Sequence, residues 1–393
     1  MKAVMIGAGR IGRGFLAELL LADKVKLTFF AATEKTVGEL NRRKQYEIHV
    51  LGNESKNTLV TDVEAFLISD LDALAMRWAQ ADLIFISCGG KNLRSVGKTL
   101  AEAFRKLYQE GRVHTSNIVI CENWIDPEKE LESAILENLT EEEQQSFLEY
   151  TGIGESAVMC SGTGSPEPEK VTNPMDTWVE NAWYLPVDRT RLKGELPELT
   201  YIKFISDFGV LLKQKLYTRN TSIATIAYLG WLKGLTYVAE GANDPEIEPI
   251  LSQLYAEVTE LLIAEYGIER ENQLEFARKA EAKNKDTAIV DVLTRIARDP
   301  IRKLGPEDRL IGPLKMGARL GIKPKAVALG CAAALYYEEP TDEIAMKLAD
   351  LRREKGIVYL LEQISGLKAD SQEAAWIQEA VVELKEKGWI REG

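Results

Sequence analysis

A glycine-rich turn near the start of the chain places the strongest constraint on its fold. The apolar segment Lys2–Ile6 is followed directly by GAGRIG at residues 7–12, and apolar residues at helical spacing come next. In a strand–turn–helix unit, the first glycine permits a tight turn, the second admits a pyrophosphate to the backbone and the third lets helix and strand pack closely. The free N–H groups at the helix start favour an anion. We therefore predict a dinucleotide-binding turn formed by Gly7, Ala8, Gly9, Arg10, Ile11 and Gly12.

The end of the second predicted strand, residues 25–30, leaves the type of dinucleotide open. An acidic residue usually holds the adenosine ribose of NAD at this point, but here Ala31 stands in that place and the chain continues Ala-Thr-Glu-Lys. Glu34 could reach the ribose, or Thr33 and Lys35 could contact the 2′-phosphate of NADP. Alternatively, these are ordinary loop residues. We expect NAD, with NADP as the alternative and Thr33 as a candidate contact.

Two further apolar segments, residues 83–87 and 118–121, are predicted to be parallel strands because each follows a helical stretch and ends in small or polar residues. The carboxyl ends of such strands line the ligand crevice. We therefore expect Gly89 to border the cofactor. Asn123 would lie near the nicotinamide, unless it only caps the next turn.

A change in composition marks the domain boundary. A chain of 393 residues exceeds the usual size of one core. Gly, Ser and Pro are frequent over residues 161–174, a strand-like segment follows at 179–187, and the pattern is helical from Tyr201 onward. We predict an α/β fold: a Rossmann domain with a doubly wound parallel sheet at 1–195, then a mostly α-helical substrate and catalytic domain at 196–393.

Charge and cysteine content argue against several classes of function. Lys and Arg number 49 and Asp and Glu 61, a net charge of −12, so no overall basic field attracts nucleic acid or an anionic membrane. The first residues lack the apolar core of a signal peptide, and the four cysteines are widely separated, as in a reduced, cytoplasmic protein. With two histidines and no paired metal-ligand motif, we expect no metal site. Nothing in the sequence indicates an oligomeric state.

Residues 215–234, KLYTRNTSIATIAYLGWLKG, place a lysine and an asparagine in a segment otherwise suited to burial. The apolar spacing favours a helix. In a regular helix Asn220 is turned well away from Lys215, unless the helix bends or ends between them. One interpretation is that Lys215 only extends its aliphatic part over apolar surface; the other is a functional lysine.

A basic segment lies at residues 299–314, DPIRKLGPEDRLIGPL. It concentrates Arg302, Lys303 and Arg309 among turn-forming residues. Fixed guanidinium groups suit the binding of hydroxyls or a phosphate. Alternatively, the arginines tie down the loop through carbonyls and Asp308.

Five motifs together carry a family resemblance: GAGRIGRGF at residues 7–15, CEN at 121–123, KLYTRNT with the following AYLG, the RKL…DRLI segment and LEQISGL at 361–367. The chain resembles the mannitol-1-phosphate 5-dehydrogenase branch of the polyol-specific long-chain dehydrogenases, the mannitol dehydrogenase family, from end to end. The resemblance implies metal-independent hydride transfer between NAD(P) and a sugar alcohol, with mannitol 1-phosphate as one candidate. It also implies that Lys215 is the general acid/base and that Asn220 contacts the reacting oxygen, and it is consistent with Arg302, Lys303 and Arg309 as substrate-binding residues.

Three places depart from the family pattern. In the motif K-x-x-x-x-N-x-x-H, Ile223 replaces the histidine and has no hydrogen-bonding group. Met159 and Cys160 stand where an Asp-Arg pair is usual, and Ala31 stands at the ribose position. Two alternatives follow: a dehydrogenase for a different polyol, sugar acid or sugar phosphate, or a non-catalytic cofactor-binding relative. The retained Lys215 and Asn220 argue against the second.

Overall fold

The computed structural model describes residues 1–124, 126–160, 162–165, 167–181 and 184–390. The chain forms two compact units, Met1–Phe208 and Gly209–Gly393. The first unit thus extends past the predicted boundary at residue 195, because a strand at Ile202–Ile205 pairs in parallel with one at Leu185–Asp188. Helical periodicity from Tyr201 onward was misleading here, and the helix prediction is wrong for Ile202–Ile205.

The strands described in the first unit are short and fall into three sheets. They are β1 (Lys2–Ile6), β2 (Lys26–Ala31), β3 (Tyr46–Leu51), β4 (Thr58–Val60), β5 (Glu64–Leu67), β6 (Leu83–Ile86), β7 (Ser116–Ile120), β8 (Thr151–Glu155), β9 (Gly162–Thr163), β10 (Thr177–Glu180), β11 (Leu185–Asp188) and β12 (Ile202–Ile205). The strand predicted over 179–187 is divided between β10 and β11, and residues 182–183 within it lie outside the described part of the chain.

The helices of the first unit connect these strands. They are α1 (Ala17–Leu21), α2 (Glu34–Arg43), α3 (Leu71–Trp78), α4 (Leu93–Gln109), α5 (Pro127–Leu136) and α6 (Glu141–Tyr150). A π-helical turn, Ile11–Leu16, precedes α1, and single 3₁₀ turns lie at Glu54–Lys56, Gly90–Asn92 and Pro168–Lys170.

The main sheet has the order β5-β2-β1-β6-β7-β8, and all its pairs are parallel. From β1 the chain builds outward through β2 to β5 and then crosses to β6, β7 and β8, so the strand order reverses between β1 and β6. Successive side chains pack on opposite faces: Met5 and Phe85 lie in one core cluster, Ile6 and Ile86 in the other. Burial of both faces is typical of a parallel sheet. The predicted doubly wound sheet is confirmed.

Two smaller sheets complete the first unit. The strands β4, β3, β10 and β9 form a mixed sheet in that order, in which only the central pair β3 and β10 is parallel. The pair β11 and β12 forms the third sheet.

The second unit is mostly helical, as predicted. Its elements are α7 (Phe208–Gln214, whose first residue closes the first unit), a π-helical turn (Lys215–Asn220), α8 (Thr221–Leu232), α9 (Val238–Ala242), α10 (Glu248–Tyr266), α11 (Arg270–Lys285), α12 (Leu293–Ala297), α13 (Pro300–Lys303), α14 (Ile311–Leu320), α15 (Lys325–Leu335), α16 (Glu343–Gln363) and α17 (Gln372–Glu386).

The core of the second unit is built around α8 and α15. Residues 326–335 of α15 are all buried, and α8 contributes a run of buried small and aliphatic residues to the same cluster. Nearly every side chain of α15 is thus used for packing within the protein. Among the described residues, no helix has both the length and the apolar character that crossing a bilayer requires.

Candidate functional site

The glycine turn lies at the point where the strand order reverses. It is anchored at both sides, because the Gly7 N–H donates to the Phe30 carbonyl at 2.8 Å and the Ser87 hydroxyl donates to the Gly7 carbonyl at 3.1 Å. Gly7 has a φ of +106°, and a Cβ there would lie 2.3 Å from the Ser87 carbonyl oxygen. At Gly12 a Cβ would lie 2.1 Å from the Gly7 oxygen. Both positions therefore exclude any side chain.

Gly9 has a different environment, which fits a dinucleotide. A Cβ at Gly9 would meet no atom within 4 Å, so the backbone of this residue borders open space that a pyrophosphate can approach. Arg10, which follows it, is exposed, and Ile11 begins the π-helical turn. Open space at the middle glycine, beside tight packing at the other two, is the arrangement that the sequence motif predicts.

Arg13 supports this turn from behind, a role that the sequence analysis missed. The side chain is buried, its Nε donates to the Ala8 carbonyl at 2.7 Å, and its Nη1 donates to the Met175 carbonyl. The Tyr46 hydroxyl donates to the Arg13 carbonyl at 2.8 Å. Burial lowers the pKa of Arg13. The signal available in the sequence was an arginine directly after the glycine motif.

At the end of β2, the predicted ribose region is formed by Ala31 and the start of α2. Ala31 is buried. Thr33 is the residue that caps α2: its hydroxyl oxygen accepts a hydrogen bond from the Thr36 N–H at 3.3 Å and lies 2.9 Å from the Thr36 hydroxyl. Thr33 therefore has a structural role as the cap of α2. Its contact with a cofactor stays a prediction.

A carboxylate joins the loops that follow β6 and β7. Gly89 has a φ of +88°, and its N–H donates to Glu122 Oε1 at 2.6 Å. Burial raises the pKa of Glu122, while hydrogen bonds from the backbone of residues 88–90 act in the opposite direction. Asn123 follows and is exposed. The CEN motif thus fixes the loop that carries Gly89.

Met159 and Cys160, which replace the charged pair of the family pattern, belong to the interior of the first unit. Both side chains are buried, and the Cys160 thiol donates to the Glu180 carbonyl at 3.4 Å. An apolar side chain and a thiol in this position supply packing but no charge.

In the second unit, the π-helical turn Lys215–Asn220 changes the relation between its two end residues. Five residues in an α-helix correspond to about 500°, which leaves the two positions about 140° apart. A π-helix instead bonds each residue to the one five further on, and the Thr221 N–H accordingly donates to the Leu216 carbonyl. Positions 215 and 220 are therefore about one turn apart, close to the same side. The expectation that Asn220 faces away from Lys215 therefore holds only for a regular α-helix, and this segment is not one.

Buried amides hold the π-helical turn from α11. Gln214 Nε2 donates to Gln273 Oε1 at 2.9 Å, and Gln273 Nε2 donates to the Thr218 hydroxyl at 3.0 Å. Thr218 and Gln273 have no exposed surface. At the following turn, Asn284 Nδ2 donates to the Ser222 hydroxyl at 3.4 Å. Fully buried, mutually bonded polar groups fix one conformation, since each would be costly to leave unpaired.

Ile223 lies next to this network and is partly buried against the helical core. It sits where the family pattern has a histidine. In this protein the position adds apolar contact and removes one hydrogen-bonding group.

The basic segment forms a compact ionic cluster. Arg309 donates to Asp308 Oδ1 from its backbone N–H at 2.6 Å and from its Nε at 2.8 Å. Arg302 lies 3.4 Å from Asp299 and 3.6 Å from Asp308. These contacts match the alternative in which the arginines tie down the loop.

Lys303 is buried within the same cluster. Its ammonium donates to the Arg298 carbonyl. Burial first, and then the charges of Arg309 and Arg302, lower the pKa of Lys303 to about 7. A lysine this far from solvent was not foreseen from the sequence.

The structure places Arg309 beside the π-helical turn. The Thr221 hydroxyl donates to the Arg309 carbonyl at 2.6 Å, and the Tyr217 hydroxyl donates to the Glu307 carbonyl at 3.3 Å. The segment before α14 therefore runs along the turn that carries Lys215 and Asn220, although it is far away in sequence. Within the described ranges, no group of three His, Cys, Asp or Glu side chains is placed to hold a metal ion.

Comparison with protein families and curated proteins gives matches along nearly the whole chain. The model of the mannitol dehydrogenase Rossmann domain matches residues 1–201, and that of the mannitol dehydrogenase C-terminal domain matches residues 210–386. A mannitol-1-phosphate 5-dehydrogenase of Bacillus pumilus (strain SAFR-032) is 34% identical over 371 residues, 93% of this chain and 96% of the relative. One from Caldanaerobacter subterraneus subsp. tengcongensis is 29% identical over 391 residues, 98% and 99% of the two chains.

Two solved structures share the fold. A D-sorbitol dehydrogenase in substrate-free form superposes with a TM-score of 0.81, covering 98% of this chain and 93% of the other. The Pseudomonas fluorescens mannitol 2-dehydrogenase, in a ternary complex with NAD and D-mannitol, gives a TM-score of 0.70 over 99% and 92% of the two chains. Each is 15% identical to this sequence, a level that establishes similarity of fold.

Proposed function

Because the chain belongs to the mannitol dehydrogenase family, we propose that it is an NAD-dependent dehydrogenase that interconverts a sugar alcohol, or its phosphate, and the corresponding keto sugar. The observation that carries the proposal is the glycine turn, where tight packing at Gly7 and Gly12 accompanies open space at Gly9. This is a backbone cradle for a pyrophosphate at the start of a helical segment. NAD, when bound there, supplies the acceptor for a hydride.

The first unit supplies the groups that hold the cofactor. The backbone of residues 7–12 faces the pyrophosphate, with the N–H groups at the start of the π-helical turn available to the anion. Thr33 is assigned to the adenosine end of the cofactor, where a 2′-phosphate would lie, Gly89 to the border of the cofactor site and Asn123 to the nicotinamide side. Because Ala31 supplies no carboxylate at the ribose, NADP is the cofactor to test against NAD.

The second unit supplies the proton chemistry. In the oxidative direction, the neutral amine of Lys215 accepts the hydroxyl proton of the substrate as the carbinol C–H bond gives its hydride to NAD. In reduction the ammonium returns that proton to the carbonyl oxygen. Asn220 donates an amide N–H to the oxygen on which negative charge develops. The π-helical turn supports this assignment because it brings positions 215 and 220 to neighbouring places on one side.

The first candidate substrate is mannitol 1-phosphate, since both curated relatives carry that name. Arg302, Lys303 and Arg309 are then the groups for the phosphate or the distal hydroxyls. One observation favours a second candidate, an unphosphorylated polyol: Arg302 and Arg309 both contact Asp308, which offsets their positive charge. The cytoplasmic location follows from the sequence analysis and is part of the proposal.

The test is a panel of polyols and their phosphates, assayed with NAD and with NADP by the absorbance of the reduced nicotinamide. We expect turnover of at least one sugar alcohol with NAD. Lys215→Ala should lower kcat by about a hundred- to ten-thousand-fold, as removal of a general base does. Lys215→Met, which keeps the length and the apolar stem, should show the same loss.

The methionine variant separates proton transfer from packing. If Lys215 served only to cover apolar surface, the methionine variant would turn over substrate at the parental rate and the alanine variant would lose stability. That result would remove Lys215 from the mechanism. Cofactor affinity should be little changed in both variants, because the cofactor groups are assigned to the first unit.

A further inference from the structure

Trp124 is a large aromatic side chain held at the carboxyl edge of the main sheet and left half open to solvent. It follows β7, directly after the CEN motif, and is 45% exposed. Its Nε1 donates to Glu130 Oε2 at 2.6 Å. The indole also lies against the backbone of Gly90, where a Cβ would be 2.3 Å from Cε3 of Trp124. The absence of a side chain at position 90 therefore lets the ring occupy this place.

The surroundings of the indole are fixed as well. Gly90 belongs to the loop after β6, and its neighbour Gly89 is bound through its N–H to the carboxylate of Glu122. Glu130, the partner of the indole N–H, lies in the first turn of α5. The ring is thus oriented by one hydrogen bond and one close backbone contact, which lowers the entropic cost of using it as a binding surface.

The strand order indicates which part of a dinucleotide this edge would meet. A doubly wound sheet has two mononucleotide-binding halves that meet where the order reverses. The glycine turn and the end of β2 belong to the half of β1, β2 and β5, which takes the adenosine. The other half, β6, β7 and β8, is left for the nicotinamide mononucleotide. Trp124 lies at the end of β7, in that second half.

From these observations we propose that Trp124 is a binding residue for the nicotinamide ring of the cofactor, with its indole as an aromatic platform. The inference rests on the proposed function, since it assumes that the chain binds NAD. Planar rings stack favourably on an aromatic side chain, and the oxidised nicotinamide is a cation, for which an indole face is the best aromatic partner. Neither the glycine motif nor the catalytic lysine motif includes this residue.

The experiment measures binding to the full-length protein by calorimetry, with NAD, NADH and ADP-ribose as probes. ADP-ribose has the adenosine half and the pyrophosphate but no nicotinamide. We expect Trp124→Ala to weaken NAD and NADH by about two- to tenfold, the range for one aromatic contact, and to leave ADP-ribose unchanged. Trp124→Phe, which keeps an aromatic ring, should retain most of the affinity.

Gly90→Ala provides a second route to the same result. A methyl group at position 90 would force the indole out of its place without removing it, so NAD and NADH should weaken while ADP-ribose does not. Trp376→Phe, a partly buried tryptophan of the second unit, is the matched control. It should leave affinity for all three probes at the parental value.

Fluorescence gives an independent readout. Bound NADH accepts excitation energy from nearby indoles, and Trp124→Phe should reduce this transfer more than Trp376→Phe while affinity is largely retained. Equal weakening of NADH and ADP-ribose in Trp124→Ala would overturn the inference, because the indole would then support the loop rather than contact the nicotinamide. Unchanged NADH affinity in Trp124→Ala would overturn it as well. If the parent bound neither NAD nor NADP, the proposed function would fall, and this inference with it.

Discussion

Gly9 and Gly12 belong to one motif, but the structure gives them different physical roles. A side chain at Gly9 would extend into open space, so Gly9→Val should change the free energy of unfolding by no more than about 0.5 kcal/mol. The same side chain would block the pyrophosphate. Loss of one charge-assisted hydrogen bond, about 1.5–3 kcal/mol, corresponds to a roughly ten- to hundredfold rise in Kd for NAD(H). Calorimetric titration and urea unfolding of the same sample measure both quantities.

Gly12→Ala is the comparison variant for Gly9→Val. Its Cβ would lie 2.1 Å from the Gly7 oxygen, and a forced shift of backbone costs about 1–3 kcal/mol or more of stability. We expect Gly12→Ala to unfold at a lower urea concentration, whereas Gly9→Val keeps the parental midpoint. A folded Gly9→Val protein with parental cofactor affinity would contradict the assignment of this turn.

Glu155, at the carboxyl end of β8, is expected to make stability depend on pH. Burial, followed by the charges of Glu128, Asp188 and Asp126, raises the pKa of Glu155 to about 7 from an ordinary value of 4.5. Between these two values the folded protein holds a proton that the unfolded chain has released, so stability falls as the pH rises through this window. Glu155→Gln should remove this contribution.

Thermal unfolding at pH 5 and at pH 8 measures the effect. The Tm of Glu155→Gln minus the Tm of the parent should be larger at pH 8 than at pH 5. The increase should be a few degrees for a difference of about 1 kcal/mol in stability. Glu110→Gln, which changes an exposed glutamate, should follow the parent at both. A constant difference between Glu155→Gln and the parent would show that Glu155 is already ionised in the folded protein at pH 5.

At the scale of single residues, sequence could predict what depends on local chemistry. Gly7, Gly9 and Gly12 were identified because the backbone conformation and approach that they allow are properties of glycine itself. The burial of Lys303 could not be predicted, because it depends on which elements pack over α13. Trp124 follows a predicted strand end and is visible in sequence, but its contact with Gly90 is a tertiary one.

At the scale of elements, the π-helical turn Lys215–Asn220 depends on its buried support from α11. Gln273→Leu would leave the fully buried Thr218 hydroxyl without its amide donor, while Gln214 Nε2 would keep Asn272 Oδ1 as an acceptor at 3.0 Å. We expect a loss of about 2 kcal/mol in the free energy of unfolding, the typical penalty for stranding buried polar groups. If the amide also holds the turn in place, kcat should fall in the folded variant. Urea unfolding and steady-state kinetics test the two effects.

Glu271→Ala is the matched control on α11. Glu271 is exposed and pairs with the exposed Arg278, so its removal should change stability by no more than about 0.5 kcal/mol. Its kcat should equal that of the parent. If Gln273→Leu kept the parental kcat, and the same dependence of kcat on pH, Gln273 would have a structural role only.

Elements defined by local sequence patterns were predicted, whereas elements defined by contacts with distant parts of the chain were missed. Four strands of the main sheet, β1, β2, β6 and β7, and the helices of the second unit were recognisable, because burial of both sheet faces and amphipathic spacing leave direct patterns. The strands β5 and β8 were not predicted. The strand β12 was assigned to a helix, since Ile202–Ile205 owes its conformation to pairing with β11. The π-helical turn left no pattern, because one extra residue in a helix does not alter the apolar spacing enough.

At the scale of the whole molecule, each unit has its own hydrophobic core, and the cofactor groups are assigned to the first. A ligand that binds only the folded form stabilises it by mass action. NAD at a hundred times its Kd should therefore add about 2.7 kcal/mol to the free energy of unfolding of the transition that includes the first unit.

Tryptophans in the two units can report that transition separately. Trp78 and Trp178 lie in the first unit, and Trp231 and Trp389 in the second, so a variant that keeps one of these pairs and has phenylalanine at the other five tryptophans reports on one unit. The transition seen by Trp78 and Trp178 should move to higher temperature with NAD, whether or not the second pair moves with it. Gly9→Val at the same NAD concentration should gain only about 0.4–1.4 kcal/mol, because a ten- to hundredfold higher Kd leaves NAD at roughly one to ten times that Kd. An upward shift confined to Trp231 and Trp389 would place the cofactor site in the helical unit and contradict the assignment.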